Sequence, residues 1–362
     1  MSRFMSSRYA SMLPYVPGEQ PRDRRYIKLN TNESPFPPSP AVLAALKDEN
    51  ALSLNLYSDP TADALVRAIA KRYTSAYGNG EKEITPDMVF AGNGSDEVLA
   101  FAFAAFGENG VAFPEIGYGF YPVFAEFFSL PAVTLPMRAD LGVDVSAFKG
   151  RRETIVIANP NAQTGVYIPV SEIKTLLSEN NDRVVIVDEA YCDFGGESAV
   201  PLVWEFENLL VVRTMSKSRQ LAGGRVGYAI GDPALISDIE RLKFGFNPYN
   251  ISRTDMAAGV AALSDEEYFS FTTGEVAKER ERLKKSFSEL GCEFPDSLAN
   301  FLLVRHEGIG GEEMYLALKE RGVLVRYLGG KLSGYVRITV GSARENDVLL
   351  AAVKDIIKER SL

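Results

Sequence analysis

Histidine is almost missing from this chain: His306 stands alone among 362 residues. A histidine-rich metal cluster is excluded, and a Ser-His-Asp or Cys-His site would have to use that one side chain. His306 ends the apolar run Phe301-Leu302-Leu303-Val304-Arg305, the place of a strand end without chemistry. Cysteine is nearly as scarce. Cys192 and Cys292 make no disulfide framework, and a reducing compartment is the simplest setting. No run of about 18 apolar residues occurs, and Met1-Ser2-Arg3-Phe4-Met5 has no apolar signal core. A cytoplasmic protein is therefore expected. Basic residues are outnumbered, 39 Lys and Arg against 48 Asp and Glu, for a net charge of −9. That balance argues against nucleic acid or an anionic membrane as partner. A phosphate-binding G-x-x-x-x-G-K-[ST] loop is absent too, because Gly329-Gly330-Lys331-Leu332-Ser333 lacks the spacing. The Asp188-Glu189 pair behind an apolar run is thus no sign of a nucleotide hydrolase.

What is present is an alternation of strands and helices. A hydrophobic fraction of 46% supports a substantial core, and 362 residues suit one large domain plus a smaller one. Thr-Ile-Val-Ile-Ala at 154–158, Val-Val-Ile-Val at 184–187 and Leu-Leu-Val-Val at 209–212 are continuous apolar runs. Such runs are parallel strands covered on both faces. Further strands are expected at 88–91, 110–113 and 226–231. Helices are expected at 41–48, from Asp59-Pro60 to Gly78, at 98–106 with Ser95 as N-cap, at 118–128 and at 170–179. The fold class is α/β, a mostly parallel doubly covered sheet, whose ligands bind beyond the carboxyl ends of the strands. A proline-rich arm occupies 1–40 and the large domain 41–255. A smaller α+β domain follows over 256–362, with a long charged helix at 265–290, strands at 301–305, 323–327 and 335–340, and helices at 311–320 and 343–357.

The chemistry sits at the expected strand ends. Gly92-Asn93-Gly94-Ser95-Asp96-Glu97 leaves backbone N–H groups at a helix start, where an anion can bind. Asn159-Pro160-Asn161-Ala162-Gln163-Thr164-Gly165 follows one strand, and Asp188-Glu189-Ala190-Tyr191 the next. Thr214-Met215-Ser216-Lys217-Ser218 follows the third, with Arg225 beyond a Gly-Gly pair. A lysine becomes nucleophilic when burial or neighbouring cations suppress its charge. Hydroxyls and an arginine around it suit phosphate, and an imine-forming lysine beside a phosphate site suggests pyridoxal phosphate chemistry, the alternative being a surface loop with a solvated lysine. In the C-terminal part, Arg326 and Arg337 project from apolar strands, which is costly unless each meets an anion.

Together these pieces resemble the fold type I pyridoxal-phosphate aminotransferases, and within them the histidinol-phosphate aminotransferase family. The narrower likeness lies in Tyr15-Val16-Pro17-Gly18-Glu19-Gln20, in Leu29-Asn30-Thr31-Asn32-Glu33-Ser34-Pro35 and in Val336-Arg337-Ile338-Thr339-Val340-Gly341. The resemblance implies pyridoxal 5'-phosphate as cofactor and a role for each matching residue. Lys217 would bind the cofactor covalently and then serve as general acid and base, Asp188 would pair with the pyridine nitrogen, and Tyr191 would meet the phenolic oxygen. Tyr118 would stack on the ring, and Asn161 would also meet the phenolic oxygen. Ser95, Asp96, Thr214, Ser216 and Arg225 would hold the phosphate. Tyr57 would reach the phosphate of a neighbouring subunit, which implies a homodimer with shared sites. Arg337 would clamp the substrate's anionic end with Arg326 and Asn32 as helpers. The family pattern N-P-N-[NA]-P-T-G is broken here, since Gln163 stands where the proline is expected. The function implied is transamination of histidinol phosphate with 2-oxoglutarate, a small-molecule amino donor and a 2-oxo acid acceptor. An aromatic or other amino-acid aminotransferase and an O-phosphothreonine decarboxylase share the same lysine and aspartate. A non-enzymatic cofactor-binding regulator would carry a helix-turn-helix extension, which this sequence lacks.

Overall fold

A computed structural model describes residues 2–48 and 52–360. The arm contains a short strand, β1 (Ile27–Lys28), and is followed by helix α1 (Pro40–Ala45), whose N-cap Ser39 accepts from Val42 N. Helix α2 (Asp63–Tyr77) stops at Gly78, as its pattern predicts. It does not begin at Asp59-Pro60, however. Ala62, at a φ of 49°, breaks the helical path there, and the Asp59 carboxylate caps from outside by accepting from the N–H groups of Thr61 and Asp63.

The central sheet is built from β2 (Val89–Asn93), β3 (Val111–Pro114), β4 (Ala132–Leu135), β5 (Thr154–Ala158), β6 (Val185–Asp188), β7 (Leu209–Thr214) and β8 (Val226–Gly231). Their spatial order is β2-β8-β7-β6-β5-β3-β4. The five strands from β7 to β4 run parallel, and β8 is antiparallel to both β7 and β2. The expected mostly parallel sheet is therefore present, with an antiparallel strand at one side. Helices α3 (Gly94–Phe106), α4 (Phe120–Phe128), α5 (Val170–Glu179) and α6 (Pro233–Phe246) connect or cover it. Val156, Ile186, Leu210 and Val212 face one apolar core; Ile155, Ile157, Val185 and Val211 face another. That split is why these runs carry no alternation in the sequence.

Helix α7 (Arg253–Ser264) spans the expected boundary at 255/256, and its buried Ala258, Ala262 and Leu263 pack into the large core. Beyond it, α8 (Glu266–Glu289) and β9 (Cys292–Glu293) lead to β10 (Phe301–His306), α9 (Gly311–Glu320), β11 (Val323–Leu324), β12 (Arg326–Tyr327), β13 (Val336–Thr339) and α10 (Ala343–Arg360). The antiparallel order β12-β13-β10-β9 forms a second sheet with its own core. The single strand expected at 323–327 is divided. β11 pairs in parallel with β1 of the arm, whereas β12 pairs with β13, so the chain changes partner at the buried Val325. Among the described residues no helix is long and apolar enough to cross a membrane.

Candidate active site

The carboxyl ends of β6 and β7, the start of α3, the arm and β13 surround one cavity of about 300 Å³. Ser95, Asp96, Tyr118, Asp188, Tyr191, Thr214, Ser216, Lys217, Arg225, Arg326, Arg337 and Asn32 all line it. Of the residues expected from the sequence, Asn161 and Tyr57 do not.

Helix α3 begins two residues earlier than its N-cap reading implied. Gly94, at a φ of 79°, is already helical, and Ser95 is inside the first turn. The cap is supplied instead by Glu97, whose carboxylate accepts from Asn93 N at 2.6 Å. Ser95 and Asp96 remain at the amino end of the helix, with the dipole favouring an anion. Two close approaches put them there. A Cβ on Gly94 would run into the Arg225 guanidinium, and one on Gly227 into the backbone N of Ser95. Arg225 itself is held at a φ of 45°. Its Nη2 lies 3.1 Å from Asp96, which also accepts the Tyr118 hydroxyl at 2.7 Å. A cation, a helix amino end and the hydroxyls of Thr214 and Ser216 make a donor set for a phosphate dianion.

At the end of β6, Asp188 is buried. It accepts from the Tyr121 hydroxyl at 3.0 Å and from Ala190 N at 3.2 Å. Burial pushes its carboxyl up to about 6, against those two hydrogen bonds. A protonated ring nitrogen is the kind of opposite charge this environment lacks. Tyr121 was not singled out from the sequence; it is one of several aromatic residues at 118–128, and nothing in that stretch marks its hydroxyl as the inward one.

Lys217 faces the cavity, and its Nζ donates to Thr31 O at 3.2 Å. Burial chiefly, then the positive charges of Arg337 and Arg225, lower its amine to about 8, while Glu33 and Asp96 oppose the shift. About a tenth of the amine is thus unprotonated at pH 7, far more than an unshifted lysine offers, and it is the neutral form that acts as nucleophile and base. Its neighbour Ser218 donates to Asp193 at 2.6 Å. Asp193 pairs with the buried Arg213, which also reaches Glu189 at 3.0 Å. Burial raises the Asp193 carboxyl, but the Arg213 charge and the Ser218 hydrogen bond prevail and hold it below its ordinary value. This ionic cluster fixes the backbone around Lys217 from behind. It was not read from the sequence, because Arg213 continues an apolar run and pairs with residues about twenty positions away.

Two expected roles change. The Asn161 carboxamide is spent on backbone groups: Nδ2 donates to Ile116 O across the fold, and Oδ1 accepts from the N–H groups of Gln163 and Thr164 in its own turn. It is fully buried and does not reach the cavity. The Asn32 side chain is likewise committed. Nδ2 donates to the Tyr191 hydroxyl at 3.1 Å, and Oδ1 accepts from Thr339. Since Asn32 donates to it, the Tyr191 hydroxyl keeps its own hydrogen for a cavity acceptor. Arg326, opposite Arg337 in the strand register, donates to Val16 O and Pro17 O of the arm. Arg337 donates to Ala162 O and to Gln163 Oε1. Tyr57 is 79% exposed and stacks on Tyr249, away from this cavity.

The donor set fits a phosphorylated pyridine aldehyde in each part: amine, ring-nitrogen carboxylate, phenol-directed hydroxyl, aromatic face and phosphate cradle. Comparison with known proteins agrees. The family model for aminotransferase class I and II matches residues 24–353. The histidinol-phosphate aminotransferase of Brachyspira hyodysenteriae is 43% identical over 362 residues, covering 99% of this chain and 100% of the relative. Histidinol-phosphate aminotransferase 2 of Gluconobacter oxydans is 44% identical over 364 residues, with 100% of both chains covered. Among solved structures, histidinol-phosphate aminotransferase from Sinorhizobium meliloti in complex with pyridoxal-5'-phosphate superposes with a TM-score of 0.82 at 26% identity, covering 93% of this chain and 92% of that one. The Clostridium acetobutylicum enzyme of the same name gives 0.82 at 22% identity, covering 92% and 99%.

Proposed function

The chain belongs to the aminotransferase class I and II family, and from that premise we propose that it transfers the amino group of L-histidinol phosphate to 2-oxoglutarate. The observation that carries this reading is that Lys217, Asp188 and Arg337 line a single cavity. Pyridoxal 5'-phosphate, when bound, supplies an electron sink for negative charge on the substrate's amino-bearing carbon.

The protein's own residues do the rest. Thr214, Ser216, Arg225 and the amino end of α3 bind the phosphate. Asp188, with Tyr121 supporting its charged form, keeps the ring nitrogen protonated. The Tyr191 hydroxyl, oriented by Asn32, donates toward the ring's phenolic oxygen. Lys217, with its amine near 8, takes and returns the proton at the substrate carbon. Arg337 grips the anionic end of either substrate, because a planar guanidinium matches both carboxylate and phosphate. We further propose a cytoplasmic homodimer in which the exposed Tyr57 ring serves the partner's site.

The test is a single half-reaction without acceptor. Conversion of the yellow holoenzyme to its amino form should be fastest with histidinol phosphate. Fast conversion with phenylalanine and none with histidinol phosphate would overturn the donor assignment.

A further inference from the structure

One corner of the Arg337 guanidinium is occupied by the fold and the opposite edge is not. Nη1 donates to Ala162 O at 3.0 Å and to Gln163 Oε1 at 2.8 Å. Nε is buried and has no hydrogen-bond partner, and Nη2 makes no hydrogen bond among the described residues. A buried guanidinium N–H left without a partner is costly, so the Nε–Nη2 edge is the one a two-oxygen anion would complete. Gln163 is well placed to fix that choice. Its Nε2 donates to Gly117 O at 3.2 Å, which settles which end of the amide faces Arg337. Its backbone N–H is held by Asn161 at 2.9 Å, so the residue is anchored at both ends. Gly117 opens directly onto Tyr118, whose hydroxyl is tied to Asp96 on the far side of the cavity. One side chain therefore links the anion-binding arginine to the segment carrying the aromatic face.

We propose that Gln163 is a positioning residue for substrate recognition: it anchors Nη1 of Arg337 and so presents the Nε–Nη2 edge to a carboxylate of the acceptor. The proposal rests on the reading of 2-oxoglutarate as acceptor. A proline in this position could supply neither side-chain contact and would lack the N–H that Asn161 holds. Gln163 is thus this chain's own means of fixing the arginine.

The test uses the cofactor-loaded enzyme and glutarate, which has the two carboxylates of the acceptor and no oxo group to react. Gln163→Met keeps the side chain's length and removes its acceptor, and Gln163→Glu sets a carboxylate against Arg337 and against the Gly117 carbonyl. Calorimetric titration should give a glutarate Kd raised about tenfold by Gln163→Met, the size expected for one lost hydrogen bond to a charged group. The increase with Gln163→Glu should be larger, because the new carboxylate competes with the ligand. KM for 2-oxoglutarate should rise in parallel, with kcat within about threefold of the parent, because uniform binding is lost and not proton transfer. Unchanged binding in both variants, with the parent binding glutarate, would overturn the role of Gln163 alone, as would a fall in kcat at constant KM. A parent enzyme that neither binds glutarate nor uses 2-oxoglutarate would overturn the acceptor assignment and this proposal together.

Discussion

Tyr121 donates its hydroxyl to Asp188 at 3.0 Å, and both groups are buried beneath the cavity floor. The bond favours the ionised carboxylate, in opposition to the burial that raises Asp188 to about 6. Tyr121→Phe removes that support without removing the ring. The carboxyl then shifts further up and becomes a poorer partner for a protonated ring nitrogen at neutral pH. Cofactor affinity of the apoprotein should fall by about tenfold at pH 7, one charged hydrogen bond's worth. The defect should shrink by pH 8.5, where Asp188 is ionised in parent and variant alike. Fluorescence titration with pyridoxal phosphate at the two pH values checks this, and an equal defect at both would refute it.

Lys217 carries a stability cost that a neutral residue would not. Its amine is near 8 in the fold and near 10.5 when unfolded. Below pH 8 both states are protonated and the folded state holds a disfavoured charge. Above 10.5 neither is charged and that cost is gone. Lys217→Met should therefore stabilise the apoprotein by up to about 2 kcal/mol at pH 7, cavity water screening the remainder. The gain should disappear as the pH rises from 8 to 10.5. Urea unfolding of cofactor-free protein at pH 7 and pH 10 measures the difference, while the variant loses transamination altogether.

Arg213 is flanked by two carboxylates, Glu189 and Asp193, with almost no exposure of its own side chain. Arg213→Met leaves the buried Glu189 and the part-buried Asp193 without their counter-charge. Breaking such a cluster by removing one member costs about 3–5 kcal/mol, so a lower denaturation midpoint is expected. Ser218→Ala, which removes only the hydrogen bond to Asp193, should cost about 1 kcal/mol. If the two variants unfold alike, the cluster is not what holds this region.

Gly94 combines a φ of 79° with an arginine packed where a Cβ would be. Gly94→Ala should destabilise by about 1–2 kcal/mol through the backbone alone. The methyl group also displaces the Arg225 guanidinium from the start of α3. Affinity for pyridoxal phosphate should therefore drop more than affinity for pyridoxal, which has no phosphate. Equilibrium dialysis with both ligands separates the two effects; an equal loss would mean that Arg225 is not in the phosphate cradle.

Much of this site could be read from the chain because its parts are local. The apolar runs ending in Asp188 and Thr214 announce parallel strands, and the residues that follow them are where the cavity lies. The glycine turn before α3 is equally legible. What escaped depends on pairing across distance. Asn161 looks like a ligand because its carboxamide is the right chemistry, but three backbone groups use it first. Asn32 looks like a substrate helper, and it is Tyr191 that occupies it. The Asp59-Pro60 helix start failed for a different reason. Asp59 satisfies N–H groups from outside the helix, and the cap pattern does not distinguish that from the first helical turn. β4 was missed because it is largely exposed and α7 because it has little apolar asymmetry, whereas α6 went unread although Asp232-Pro233 offers a cap and a first-turn proline.

The two-residue pairing of β1 with β11 has a mechanical meaning. Four positions after that pairing begins, Thr31 accepts from Lys217, and next to it Asn32 is bonded to Tyr191 and Thr339. The amino-terminal segment is therefore a tether with one end paired to β11 in a small two-stranded sheet and the other resting on the reactive amine. Any displacement of the small sheet pulls on the lysine's acceptor, so the sheet and the amine cannot move independently. Clipping the chain between Lys28 and Thr31 would cut that tether.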